Sequence, residues 1–189
     1  MVREKKLFNL LNSFDYKSNI VCDPVFLLSK KQWNDILPQS KYLTKEYVVY
    51  YRLLPSVEAE KLAYEVAKRY DCELLIITAS VSLSYRKNER QTLSPLEFIQ
   101  VIRDAKFVIA TSFHGTAFSL IFEKQFYTLG LGANSDRVLT LFDNLGLKER
   151  YIEDFSKVNF HDIDYSDVKN KLSNMIYNSK KLLNEALDI

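Results

Sequence analysis

Hydrophobic and polar positions along the chain follow two periods, one typical of buried strands and one of amphipathic helices. Four short runs rich in β-branched and aromatic residues predict buried strands, and they are residues 46–54, 74–78, 107–110 and 126–129. Apolar residues three and four positions apart predict helices over residues 3–13, 29–37, 57–70, 94–104, 116–122 and 165–186, with one more that carries Val138, Leu141, Phe142 and Leu145. This alternation predicts an α/β fold with a parallel sheet, and residues 19–22 predict an additional short strand.

A polar corner interrupts the most apolar part of the chain, residues 106–122. His114, one of only two histidines, lies at this corner, and Gly115, one of only four glycines, follows it. Ligands of open α/β sheets bind beyond the carboxyl ends of the strands, where a starting helix presents free backbone N–H groups. Residues 112–115 are therefore a candidate anion or sugar site. A tight turn with a capping serine and a hydrogen-bonded histidine explains the spacing equally well.

Composition limits the classes of protein to which the chain belongs. Its 189 residues suffice for one full α/β domain, and a hydrophobic fraction of 47% with 26% charged residues is typical of a globular protein. The net charge of +2 is spread along the chain and gives no sign of nucleic-acid binding. No apolar run reaches the roughly 20 residues of a membrane span, and the N-terminus is charged, so we expect a cytoplasmic protein.

Four weaker signals have ordinary structural explanations. Cys22 and Cys72 lie in apolar runs without a CxxC motif, which predicts reduced core thiols. Residues 79–93 are polar and carry three cations, and a solvated basic loop is the favoured interpretation; the cations are Arg86, Lys87 and Arg90. Gly130-Leu131-Gly132 follows a strand but lacks the remaining features of a dinucleotide-binding loop. His161 lies in a polar connection and is expected at the surface.

Several segments, in order, resemble the polysaccharide pyruvyl transferase family. They are Val2–Glu4, Cys22–Leu28, Ser94–Phe98, Ala110–Ser119, Ser135 with Arg137, Leu145–Leu147 and Arg150–Tyr151. The sequence departs from the family pattern at Glu123-Lys124-Gln125, where Gly-Lys-Pro is common, and in the loop 130–136.

The resemblance implies one lobe of a larger architecture. Members of this family typically have two Rossmann-like halves in a glycosyltransferase-B-like arrangement, with the Val-Arg-Glu segment near the middle of the chain. We therefore expect residues 1–160 to form a Rossmann-like lobe with helices on both faces of its sheet, equivalent to the C-terminal half. Residues 161–189 would form a helix that packs on this lobe or reaches toward a missing N-terminal lobe. An unfilled interface would expose apolar side chains along the strand ends and favour self-association.

The resemblance also implies a reaction, the transfer of pyruvate from phosphoenolpyruvate to two hydroxyls of a sugar or oligosaccharide as a cyclic ketal. Such chemistry requires donors for phosphate and carboxylate, and groups that exchange protons with the enol carbon and the hydroxyls. His114 is the expected catalytic residue. The expected substrate-binding residues are Ser112, Gly115, Thr116, Ser135 and Arg137. Arg3 and Glu4 would face the missing lobe or form a structural ion pair.

Phosphoenolpyruvate is expected as the donor substrate, with no cofactor, no metal site, no nucleic acid and at most a peripheral membrane association. We expect the lobe to be inactive without its N-terminal partner. Two alternatives remain open at this point. One is a non-catalytic Rossmann-like binding module in polysaccharide biosynthesis, and the other is a lobe of a nucleotide-sugar glycosyltransferase, because one fold supports many chemistries.

Overall fold

A five-stranded parallel sheet forms the centre of the computed structural model, which describes residues 1–38, 45–81, 83, 86–129, 131–132 and 135–187. Its strands are β1 (Tyr47–Arg52), β2 (Glu73–Thr78), β3 (Glu89–Arg90), β4 (Phe107–Ala110) and β5 (Gln125–Thr128). They lie in the order β3-β2-β1-β4-β5, and every neighbouring pair is parallel. This is the Rossmann order, which reverses between β1 and β4, and it confirms the predicted fold class.

Seven α-helices surround the sheet in the described ranges, and they are α1 (Lys5–Ser13), α2 (Lys30–Ile36), α3 (Val57–Arg69), α4 (Pro95–Asp104), α5 (Phe113–Ile121), α6 (Asp136–Leu145) and α7 (Tyr165–Leu187). Short 3-10 turns occupy Pro24–Leu27, Lys148–Arg150 and Phe155–Lys157. The starts of α2 and α4 follow from their sequences, because Ser29 and Ser94 each form a capping box with the residue three positions later. A serine cap stabilises a helix by about 1 kcal/mol.

Helices cover both faces of the sheet, as predicted. Alternate residues of β1 point to opposite faces, so Val48 and Tyr50 pack against α3, while Tyr47 and Val49 belong to the core shared with α4, α5, α6 and α7. All four of these β1 side chains are at least 97% buried. The face of the sheet that includes Val48 and Tyr50 is therefore covered by α3, and the opposite face is covered by α4, α5, α6 and α7.

The last helix, α7, lies on the lobe. Val168 is buried in the core, and the hydroxyl of Ser179 accepts a hydrogen bond from the amide of Cys22 at 2.8 Å and donates to the carbonyl of Met175 at 2.8 Å. Cys22 and Cys72 are both free, as predicted, but only Cys22 is buried in the core, and Cys72 is half-buried. Among the described helices, none combines the length and the apolar character needed to cross a bilayer.

Three local predictions were wrong. Residues 79–93 were expected to be a loop, but Glu89–Arg90 pairs with β2 as an edge strand. The predicted strand 19–22 is a single bridge between Val2 and Ile20, because the amide of Cys22 bonds to Ser179. Helix α5 begins at Phe113 and not at residue 116, so the predicted corner forms its first turn.

Candidate active site

The candidate site lies where the strand order reverses, at the carboxyl ends of β1 and β4. Thr111 follows β4 and is fully buried. Its hydroxyl accepts hydrogen bonds from the amides of Leu53 and Leu54 at 3.0 and 3.1 Å and lies 3.1 Å from the carbonyl of Leu54. These hydrogen bonds join the residues that follow β1 to the residue that follows β4, and they hold the turn before α5 in position.

The first turn of α5 fills this position. Ser112 is 3% exposed and Phe113 is 8% exposed, whereas His114 is exposed to solvent. A Cβ atom on Gly115 would lie 2.9 Å from both Ala110 Cβ and Tyr51 Cδ1. Glycine is therefore required here by the close approach of the helix to two strands, a role that the sequence did not reveal.

The amides of Phe113, His114 and Gly115 have no backbone or side-chain acceptor within the described ranges, since the first helical bond runs from the amide of Thr116 to the carbonyl of Ser112. The side chain of Ser112 does not cap the helix. Burial raises the pKa of the Tyr51 phenol, against a hydrogen bond with the Ser112 hydroxyl that lowers it. These three N–H groups lie at the positive end of the helix dipole, where an anion is favoured.

Thr116 and Ser135 make contacts within the fold. Thr116 is fully buried, and its hydroxyl lies 3.0 Å from the carbonyl of Ser112 and 2.7 Å from the hydroxyl of Thr128. It connects α5 to β5 beneath the corner. Ser135 precedes α6 and is half-buried; burial raises the pKa of Tyr151, and a hydrogen bond with Ser135 lowers it in part. The substrate-binding roles predicted for both residues stay predictions.

Arg137 enters the site from the first turn of α6. Its guanidinium carbon lies 4.8 Å from the centre of the Phe113 ring, and the centres of the Phe113 and His114 rings are 5.6 Å apart. Phe113 thus contacts both a cation and an exposed imidazole. The structure brings Arg137, His114 and the free amides of α5 to one end of the same helix, although they come from two segments of the sequence.

Arg3 and Glu4 take part in ion pairs, but not with each other. Arg3 pairs with Asp23, and Glu4 Oε1 lies 3.3 Å from Arg137 Nε. Asp23 also lies 3.9 Å from Arg137, through Oδ2 and Nη1. We call these four residues the Arg–Asp network. Sequence reasoning missed Asp23, which lies in the segment Cys22–Leu28 of the resemblance but was given no role of its own.

A cavity of about 320 Å³ adjoins the Arg–Asp network. Arg3, Asp23 and Arg137 line it together with Phe113, and apolar side chains of α6 and α7 complete the wall, among them Leu141 and Met175. Its volume is that of a site for a small molecule. Among the described residues, no group of three His, Cys, Asp or Glu side chains is placed to hold a metal ion.

Comparison with known families confirms the resemblance found in the sequence. Residues 1–132 match the family model described as polysaccharide pyruvyl transferase. The match includes the Arg3–Glu4 segment, Asp23 and the whole of α5, and ends before α6. No curated protein matches the chain significantly.

Solved structures of three enzymes are similar to the chain. The UDP-GlcNAc 2-epimerase from Neisseria meningitidis is 13% identical with a TM-score of 0.49, over 98% of this chain and 59% of that one. The glycosyltransferase SnogD from Streptomyces nogalater is 16% identical with a TM-score of 0.41, over 80% and 47%. The spinosyn forosaminyltransferase SpnP is 15% identical with a TM-score of 0.36, over 80% and 40%. The chain spans less than two thirds of the length of each.

Proposed function

The chain belongs to the polysaccharide pyruvyl transferase family, and we propose that it carries the donor side of a reaction that transfers pyruvate from phosphoenolpyruvate to a sugar as a cyclic ketal. The observation that carries this proposal is the contact of Phe113, in the first turn of α5, with both the guanidinium of Arg137 and the ring of His114. Phosphoenolpyruvate has two anionic groups, and this end of the helix offers two kinds of anion donor.

In the proposed complex, the phosphate binds to the free amides of α5, and the carboxylate pairs with the guanidinium of Arg137. The oxygen of one sugar hydroxyl bonds to C2 of the enol while a proton is added to C3, which becomes a methyl group, and the proton of this hydroxyl restores the proton donor. The bond between C2 and the phosphate oxygen then breaks, a second hydroxyl of the sugar bonds to C2 and closes the ketal, and its proton leaves with the phosphate. His114 is the proposed proton donor, because histidine is the side chain that most often transfers protons in enzymes and this one is exposed beside the proposed phosphoenolpyruvate site.

We also propose that a second lobe supplies the acceptor side and closes the cleft over this corner. In support, Leu53 and Leu54, which directly follow β1 at the carboxyl edge, are 44% and 38% exposed. Helix α1 lies against α6 and has no buried residue; Leu10 in it and Phe14 at its end are 53% and 67% exposed. These exposed apolar side chains are surface that a partner lobe could cover. The complete protein would act on its saccharide in the cytoplasm.

Addition of phosphoenolpyruvate, followed by NMR of the two histidine rings, tests the donor assignment on this chain alone. His114 and His161 are the only histidines, so the ring resonances of His161, which lies outside the corner at residues 112–115, provide an internal reference. We expect phosphoenolpyruvate to shift the His114 resonances and to leave His161 unchanged, whereas a nucleotide sugar shifts neither. A His114→Asn variant assigns the signals. The proposal would be contradicted if the nucleotide sugar shifted the His114 resonances to saturation, or if phosphoenolpyruvate left them unchanged.

A further inference from the structure

A larger cavity of about 720 Å³ lies at the β3 edge of the sheet, between α3 and strands β2 and β3. Leu74, Leu75 and Ala67 supply its apolar walls, and Tyr64 of α3 stands at its side. None of its lining residues belongs to the α5 corner or the Arg–Asp network. We call this cavity the edge groove.

Three cations line the edge groove, and they are Lys68, Lys87 and Arg90. The single carboxylate in the lining, Glu73, is already paired with Lys45, whose Nζ lies 3.7 Å from Glu73 Oε1. The ion pairs formed by the neighbouring described residues involve Lys45, Arg52 and Arg86, and none of them includes Lys68, Lys87 or Arg90. The edge groove is therefore complementary to an anion.

Polar groups of the edge groove are held in place by the fold. Arg90 Nη1 donates to the carbonyls of Lys87 and Glu89 at 3.0 and 2.9 Å, which leaves the rest of the guanidinium available. Asn88 donates to the carbonyl of Leu74 at 3.1 Å, and the Tyr64 hydroxyl accepts from Arg86 at 3.3 Å. The side chain of Tyr64 is nevertheless 46% exposed. Groups that are already oriented lose less entropy on binding a ligand.

We propose that the edge groove is an exosite for an acidic saccharide, the chemical class that pyruvylation produces. This inference rests on the proposed function, because each ketal adds one carboxylate to an otherwise neutral sugar. Arg90 pairs with this carboxylate in the fork geometry that guanidinium favours. The exposed ring of Tyr64 and the apolar walls accommodate the less polar face of a pyranose, a combination that favours a saccharide over an acidic peptide.

Two matched sugars test the charge requirement. One is methyl galactoside with a 4,6-linked pyruvate ketal, and the other is its neutral 4,6-ethylidene analogue, which lacks the carboxylate. Backbone amide resonances of the whole chain report binding at Asn88 and Arg90. We expect the acidic ketal to bind at least about tenfold tighter than the neutral analogue, and Arg90→Gln to lower its affinity about tenfold, the equivalent of about 1.4 kcal/mol. Lys181→Gln, on α7, removes a charge elsewhere and leaves the affinity unchanged.

Equal affinity for the two sugars, or an unchanged affinity in Arg90→Gln, overturns the exosite. Tighter binding of polyglutamate than of the ketal also overturns it, since the edge groove would then be a peptide site. The His114 response to phosphoenolpyruvate is an independent readout, and Arg90→Gln leaves it unchanged. If phosphoenolpyruvate does not shift the His114 resonances but the ketal binds at the edge groove, only the donor assignment is rejected.

Discussion

Asp23 Oδ2 lies 3.9 Å from Arg137 Nη1, which joins the segment before the Pro24–Leu27 turn to the first turn of α6. The side chain of Asp23 is 3% exposed and pairs with Arg3 as well. Its second oxygen accepts a hydrogen bond from the amide of Val25 at 3.2 Å. One buried carboxylate therefore holds two guanidinium groups and the start of a turn, and it fixes the direction from which Arg137 reaches Phe113.

Asp23→Asn is expected to lower the free energy of unfolding by about 3 kcal/mol, because it leaves two neighbouring cations without their buried counter-charge. Urea unfolding at pH 7 measures the change. The matched control is Asp136→Asn, whose carboxylate is 42% exposed and lies 3.9 Å from Lys6. An exposed pair of this kind contributes less than about 1 kcal/mol. Equal losses in the two variants would show that Asp23 does not organise the Arg–Asp network.

Glu4→Gln is expected to increase the affinity for phosphoenolpyruvate. Glu4 Oε1 lies 3.3 Å from Arg137 Nε and occupies an edge of the guanidinium that an incoming carboxylate requires. Removal of this competing charge should tighten binding about threefold to tenfold, as measured by calorimetry. Glu65→Gln removes an exposed carboxylate from α3 and is expected to have no effect. Weaker binding in Glu4→Gln would mean that Glu4 supports the ligand and does not compete with it.

Gly115→Ala is expected to destabilise the protein by about 1 to 3 kcal/mol, because the added methyl group would overlap Ala110 and Tyr51 at 2.9 Å. Ala110→Gly in the same chain removes one of the two obstacles. The double variant should therefore be more stable than the two single changes predict, and a double-mutant cycle by thermal unfolding gives the coupling. Strict additivity would contradict the close approach of α5 to β4.

Glu123 provides a prediction on pH. Burial raises the pKa of its carboxyl, but the two lysines that contact it, Lys169 at 2.7 Å and Lys30 at 3.0 Å, outweigh burial and lower the pKa below its usual value. A lowered pKa means that these contacts stabilise the fold above pH 4.5 and lose this effect as the pH falls through the folded-state pKa.

Unfolding experiments at pH 6 and at pH 3 on wild type and Glu123→Gln test this sign. The wild-type protein should be more stable by about 1 kcal/mol at pH 6, and the difference should shrink at pH 3. A difference that grows in acid would contradict the direction of the pKa shift. Ile36→Val, at an exposed position on α2, changes no charge and is the control. Its stability relative to wild type should be the same at pH 6 and pH 3.

Local patterns in the sequence were sufficient to predict most of the elements. Four strands and all seven α-helices in the described ranges agree in type and approximate position, because capping boxes and apolar periodicity are local signals. The strand β3 was not predictable in this way. Glu89 is buried through its ion pair with Arg52, and Asn88 bonds to Leu74, so contacts from distant parts of the chain make a strand of two charged residues.

The candidate site was predictable only in part, for the same reason. The corner at residues 112–115 follows from a strand that ends before a helix. Arg137 contacts Phe113, and Asp23 contacts two arginines, because α6 and α1 pack together. This packing joins distant segments, so the spacing of residues in the sequence does not predict it. The predicted loop 130–136 falls partly outside the described residues, which include Leu131, Gly132, Ser135 and Asp136 of it.

Calorimetric titration of phosphoenolpyruvate into wild type, His114→Asn and Arg137→Gln tests the central claim most directly. His114 is exposed, so its replacement leaves folding unchanged, and circular dichroism verifies this for both variants. The account predicts saturable binding to wild type that weakens about tenfold or more in Arg137→Gln, as for the loss of one charge-assisted hydrogen bond, and changes less in His114→Asn, because the proposed role of His114 is proton transfer and not binding. Binding of equal affinity in all three proteins would contradict a donor site at the start of α5.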